Sequence, residues 1–221
     1  MGRRFVAQCA GLFVAVLLCI GATQFDRLSA AFRVPDFNPP GCELPCVLNM
    51  IPGVTAQSEA EAILASSTTF HPDGESDYQH QLLGDTADAP YIGVKYDGGG
   101  FDNNLGYVSI IPGKSNMITL GQMMAAGYKI NRLVRTSYTV ANGYAAFLVT
   151  FDKNEQIIAL VVANGKLESS SEVTNIYAIG GPDQAWIFDM IREQLHGDDI
   201  IRWVGFASVQ EYLAEPALPE Q

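Results

Sequence analysis

The sequence predicts an α+β protein: an N-terminal membrane helix followed by two helix-plus-β-hairpin units, forming an antiparallel sheet with its helices packed on one face. Three observations predict it. Residues 5–22 are an 18-residue apolar run broken only by Gln8. Beyond it, apolar residues at helical spacing are followed by strand, turn and strand, and that order occurs twice. A chain of 221 residues with 48% hydrophobic and 17% charged residues is too apolar to stay disordered and holds one or two domains.

The first element carries a basic tip, Arg3 and Arg4, ahead of Phe5–Ala22. At about 1.5 Å per residue a helix of that length spans roughly 27 Å, enough for a thin bilayer. Two readings stay open, an uncleaved anchor with Arg3 and Arg4 on the cytoplasmic side and a cleaved export signal. Both place residues 35–221 outside the cytoplasm, membrane-anchored in the first case and secreted in the second. Past residue 34 the chain holds 9 basic against 23 acidic residues, a net charge of −14. A body so acidic repels a phosphate backbone, which argues against nucleic-acid binding.

Residues 35–53 contain five of the eleven prolines and read as an extended linker. The linker also holds Cys42 and Cys46. In an exported chain this pair predicts a small-loop disulfide, whose effect is local shape. Zinc would need two further ligands, and no other cysteine lies outside the apolar run.

The domain is expected over residues 54–215, with units at 54–111 and 112–165, a C-terminal strand-helix segment, and a tail at 216–221. Thr55 is positioned to cap a helix through Ala65, with Ala56, Ala60, Ile63 and Leu64 at helical spacing. Residues 66–90 are polar and irregular and read as a surface loop. Strands follow at Tyr91–Tyr96 and Gly106–Ile111, joined by an Asp-, Asn- and Gly-rich tip. In the second unit Thr119 and Gln122 form a capping-box pattern, Leu120, Met123 and Met124 are the apolar face, and Gly127 ends the helix. Tyr144–Phe151 and Gln156–Ala163 read as its hairpin. Val173–Ile179 reads as a further strand, and Pro182 as the first residue of a helix through Leu195. Ser208 and Glu211 open a last short helix. Trp203, Phe206 and Tyr212 are expected to cover one end of the core.

The candidate chemistry is sparse. His71, Asp77 and His80 are weak candidates for a metal site, on residue type and proximity alone. Asp97, Asp102, Asn103 and Asn104 depart from the calcium-loop pattern and suit a hairpin tip. Gly98–Gly100 lacks the Lys-Ser/Thr of a phosphate-binding loop. No catalytic residues and no cofactor are assigned. Phe101, Tyr107, Tyr138 and Tyr144 stand beside polar neighbours and are candidate partner-binding anchors, with packing on a second sheet face as the alternative.

A resemblance rests on short motifs. Pro45-Cys46, Ile51-Pro52-Gly53-Val54-Thr55, Glu59-Ala60 and Ile63-Leu64 resemble the PCW-x-GI-x-PG-x-T…EA…L opening of uncharacterised bacterial envelope-anchored proteins. Ile118-Thr119-Leu120-Gly121-Gln122 is similar to their LTLGD helix start, and Trp203-Val204-Gly205-Phe206 with Tyr212 to their W-x-GF…Y ending. Val47 stands where that pattern has Trp, and Asn49-Met50 replace its Gly. More distantly, the unit resembles the helix-hairpin module of the outer-membrane-assembly lipoprotein and β-lactamase-inhibitor-protein group. The resemblance implies an α+β binding module and transfers no active-site residue. The expected function is therefore a tethered, non-catalytic module that binds another envelope protein or peptide. A metal-dependent hydrolase of the cell envelope and a purely structural surface module are the alternatives.

Overall fold

Among the described residues ten antiparallel strands make one sheet, and two strand meanders meet at its middle. The computed structural model describes residues 41–67, 71–72, 79–83, 91–96, 104–113, 117–136, 144–151, 156–180 and 185–219. The apolar run at 5–22 lies outside them. Among the described residues no helix is long and apolar enough to cross a membrane.

The elements run α1 (Gln57–Ala65), β1 (His71–Pro72), β2 (Gln79–Leu83), β3 (Tyr91–Tyr96), β4 (Leu105–Ile111), β5 (Ile118–Thr119), α2 (Leu120–Ala125) and β6 (Ile130–Thr136). Then come β7 (Tyr144–Phe151), β8 (Ile157–Asn164), β9 (Glu172–Ile179), α3 (Ala185–Gln194), β10 (Gly197–Arg202) and α4 (Val209–Ala214). The spatial order is β1-β2-β3-β4-β9-β8-β7-β6-β10, with β5 also pairing β9. The last strand of each meander, β4 and β9, therefore lie side by side, with Tyr107 opposite Ile179 and Ile110 opposite Ile176.

Each meander is entered by the same device. The residues just before a helix pair with the start of that meander's last strand. Ala56 bridges Asn104, and Leu105 donates its N–H to the Thr55 carbonyl at 2.9 Å. Ile118 and Thr119 pair with Val173 and Glu172. The Leu120 N–H donates to the Ser171 carbonyl and the Gly121 N–H to that of Ser169. A Cβ on Gly121 would lie 2.8 Å from the Ser169 carbonyl oxygen, so only glycine permits this approach of helix to backbone.

Strand alternation sorts the core onto two faces. Phe147, Val149, Phe151, Ala159, Val161, Ile176, Val108, Ile110, Ile92 and Val94 face one way, beneath Ala60 and Leu64 of α1, Leu120 and Met123 of α2, and Val209 and Tyr212 of α4. Leu44, Val47 and Met50 close the same side from the segment before α1. Leu148, Ile158, Val134, Tyr107 and Ile179 face the other way, beneath Ile187, Phe188 and Ile191 of α3. The expectation that all helices share one face is thus corrected. The central strands are apolar on both sides, and the second side needs a helix of its own.

Three further expectations change. Residues 66–90 are not simply a loop, because β1 and β2 pair within them and extend the sheet beyond β3. β6 was missed because Asn131, Arg132 and Arg135 interrupt its apolar residues, and β10 because two aspartates precede its two isoleucines. Thr55 does not cap α1. The N-cap is Ala56, and the Thr55 hydroxyl instead accepts the Ile51 N–H at 2.8 Å. Both predicted capping boxes, Thr119–Gln122 and Ser208–Glu211, are present with both bonds formed.

At one end of the first face Tyr212, 0% exposed, stacks on Trp203 and tilts against Phe147, while Phe206 meets Trp203 edge-on. The Tyr212 hydroxyl donates to the Gly205 carbonyl. Beyond it, Leu218 donates its N–H to the Ile200 carbonyl at 2.7 Å, laying the segment after α4 along the outer edge of β10.

Two stability changes are expected from denaturant unfolding of the full chain. Tyr212→Ala should cost about 3–5 kcal/mol and Tyr212→Phe about 1 kcal/mol, and equal losses would place no weight on the ring stack. Gly121→Ala should cost about 1–3 kcal/mol through overpacking against Ser169, and a neutral result would contradict the close approach.

Candidate functional site

Helix α3 covers only part of the second sheet face. Two cations hold its flanks. Lys95 on β3 donates from Nζ to Met190 Sδ at 3.2 Å, and the Arg132 guanidinium on β6 lies 5.2 Å from the Phe188 ring centroid. Between them Ile187, Phe188 and Ile191 seal the sheet from β4 to β6.

Toward the other ends of β4, β8 and β9 no helix among the described residues covers the face. Tyr91 pairs Ile111 across β3 and β4, Asn175 pairs Leu160 across β9 and β8, and Val162 pairs Ala146 across β8 and β7. Ile111 is 39% exposed and Tyr144, at the start of β7, is 45% exposed. Tyr91, Leu160, Val162, Asn175 and Tyr177 are half-buried. The result is a flat apolar and phenolic corner, bounded on one side by α3. Gly93 sits at its floor, with Ser109 leaning across it, and the Ser109 hydroxyl donates to the Gly93 carbonyl at 3.4 Å. Such a surface can exchange apolar area and hydrogen bonds with a docked chain.

Tyr144 is the expected anchor that this corner displays. Tyr107 is on the same face but only 8% exposed, and packs edge-on to Tyr177 at 6.1 Å between centroids. It is a core residue, as the packing alternative had it. Phe101 and Tyr138 lie outside the described residues.

Comparison of the chain with protein-family models, with curated protein sequences and with solved structures returned no match.

The candidate metal ligands fall only partly within the described residues. The backbone register sets His71 opposite Leu83 and His80 opposite Val94, so the two histidines are not strand partners. Asp77 lies outside the described residues. Among the described residues no three His, Cys, Asp or Glu side chains stand close enough to hold a metal ion. Cys42 and Cys46 are joined as expected, with Cα atoms 5.2 Å apart. Ile111, Leu160 and Val162 were missed as site residues. Their alternation along β4 and β8 was visible, but an apolar strand position does not say whether a helix covers it.

Burial pushes several phenols upward. Tyr96, with Glu61 adding to the effect, Tyr177, with Tyr107 adding to it, and Tyr212 are raised to about 12, and Tyr107 is raised as well. Raised phenol values mean that the folded chain keeps protons that the unfolded chain loses above pH 10. Their contribution to stability is complete below pH 10 and is lost as pH rises toward about 12. Denaturant midpoints should accordingly fall across that interval, and native phenolate absorbance should rise later than in the unfolded chain. Coincident native and unfolded titrations would refute the burial of these rings.

Proposed function

We propose that this chain is a membrane-tethered, extracytoplasmic, non-catalytic module that binds another envelope protein or peptide. Its docking surface is the open corner of the second sheet face. One observation carries this reading. Two large apolar side chains, Ile111 and Tyr144, are exposed beside half-buried Tyr91, Leu160 and Val162 on rigid paired strands, where a compact monomer would ordinarily place a covering helix. Tyrosine beside aliphatic neighbours is the composition from which interface anchors are built.

The apolar run at residues 5–22 supports the tether, and the acidic body argues against a nucleic-acid partner. The linker at 35–53 would hold the domain away from a bilayer surface.

The test uses the full chain, crosslinked in intact cells and recovered in detergent. One dominant envelope protein should be captured, and Tyr144→Ala or Leu160→Asp should lower its affinity at least about tenfold with the melting temperature of Tyr144→Ala unchanged. Equal capture by both variants would move the docking surface elsewhere. Background proteins alone, together with a stoichiometric metal whose removal by EDTA lowers the melting temperature, would favour the hydrolase alternative.

A further inference from the structure

The chain leaves β8 through an asparagine followed by a glycine. Asn164 is the last residue of the strand, and Gly165 follows with φ of 69°, a left-handed conformation that glycine adopts without strain. Both residues are exposed. The ladder to β9 stops two residues earlier, at Val162. What the exit holds instead is the start of α4. The Val209 N–H donates to the Gly165 carbonyl at 3.0 Å, and the Leu167 N–H donates to the Ala207 carbonyl at 2.9 Å. Lys166 bridges Ser208, the N-cap of that helix. Gly165 and its neighbours thus set the position from which α4 carries Tyr212 into the core.

The register fixes the side of the sheet on which Asn164 lies. β7 and β8 pair without a break from Tyr144 and Asn164 to Phe151 and Ile157. Residues directly opposite on antiparallel strands share a face. Asn164 therefore stands beside Tyr144, on the side of Leu148, Ile158 and Leu160. It is a neutral polar member of the corner that no described helix covers, on a strongly acidic chain.

We propose that Asn164-Gly165 is a deamidation site, through which the chain slowly places a carboxylate in its own docking corner and loosens the fastening of α4. Glycine carries no side chain to hinder its nitrogen. Having lost its proton to base, that nitrogen attacks the carbonyl carbon of the Asn164 side chain. A carbon–nitrogen bond forms and closes a five-membered imide, the bond from that carbon to the amide nitrogen breaks, and ammonia leaves with the returned proton. Water then opens the ring. Addition at the former side-chain carbonyl leaves aspartate. Addition at the main-chain carbonyl leaves isoaspartate, whose main chain runs through one extra methylene. One water enters for one ammonia lost, with no change of oxidation state. Either product is an anion that must shed its hydration when a partner covers Tyr144. Isoaspartate also displaces Gly165 from Val209. The effect on docking rests on the binding function proposed above, whereas the reaction and its effect on α4 do not.

The test incubates the folded full chain at mildly alkaline pH. Peptide mapping should find a gain of one mass unit at residue 164, with isoaspartate the larger product and a rate that rises with pH. The other Asn-Gly pair, at 142–143, is mapped on a separate peptide. In the isoaspartate form, amide exchange at Leu167 and Val209 should rise at least about tenfold while the middle of β7 keeps its protection. Asn164→Asp supplies the charge without the extra methylene. It should lower capture of the envelope partner at least about fivefold and leave exchange at Val209 unchanged, whereas Asn164→Gln should preserve capture. An amide at 164 that survives in the folded chain while the unfolded chain deamidates would overturn the site. Unchanged Val209 exchange in the isoaspartate form would overturn its coupling to α4, and undiminished capture by Asn164→Asp its place in the corner. Absence of any captured partner for the unmodified chain would count against the binding function alone, with mapping and exchange still deciding the site.

Discussion

Four register pairs between β4 and β9 join what would otherwise be two separate antiparallel meanders, and the rest of the molecule depends on that junction. It places strands that are apolar on both faces at the centre of the sheet, so that each face calls for cover. Every other element then follows as cover. The helices α1, α2 and α4 and the disulfide-closed cap take one side, and α3 takes part of the other. The helix entries reinforce the junction, because Thr55 and Ala56 bond to the start of β4 and Ile118 and Thr119 to the start of β9. Local capping and the longest-range pairing are thereby the same set of contacts. Such consistency between levels is what gives a sequence one structure.

The parts legible in the sequence were those with a short-range cause. The Thr119–Gln122 and Ser208–Glu211 boxes need only residues three apart, and both form. The strands β3, β4, β7, β8 and β9 are dense in branched and aromatic residues and were placed nearly to the residue. The spacing of Cys42 and Cys46 leaves few partners for either. What escaped were elements whose cause lies elsewhere in the chain. β6 carries Arg132 and Arg135, and their positions make sense only once Phe188 and Asp199 are across from them. α1 has a good capping residue at Thr55, but the pairing of that strand-like entry with Leu105 shifts the cap to Ala56. The helices lie on two faces because the central strands are apolar on both sides, with Leu148, Ile158 and Leu160 lying between residues of the opposite core.

The candidate site was less legible than the fold for the same reason. Tyr107 and Tyr144 look alike in sequence, each a tyrosine on a strand with polar neighbours nearby. One lies under the α3 side of the sheet and the other beyond it, and only the position of that helix separates them. The half-covered face is also the feature on which the proposed binding function rests. Its rigid strands hold a fixed pattern of apolar and hydrogen-bonding groups at little entropic cost on association.

The two margins of the sheet are finished differently from its interior. One ends in a two-residue strand containing Pro72, which has no N–H to offer a neighbour. The other is broken by a register shift between Gly197 and Ile200 and overlaid by the strand-like contact of Leu218, which sits between Pro216 and Pro219. Exposed margins are the places where sheets of separate molecules fuse. A chain concentrated at a surface meets its own copies far more often than one diluted in bulk. With both described margins blunted, edge-to-edge fusion of copies is disfavoured, a safeguard that the proposed tethering would call on.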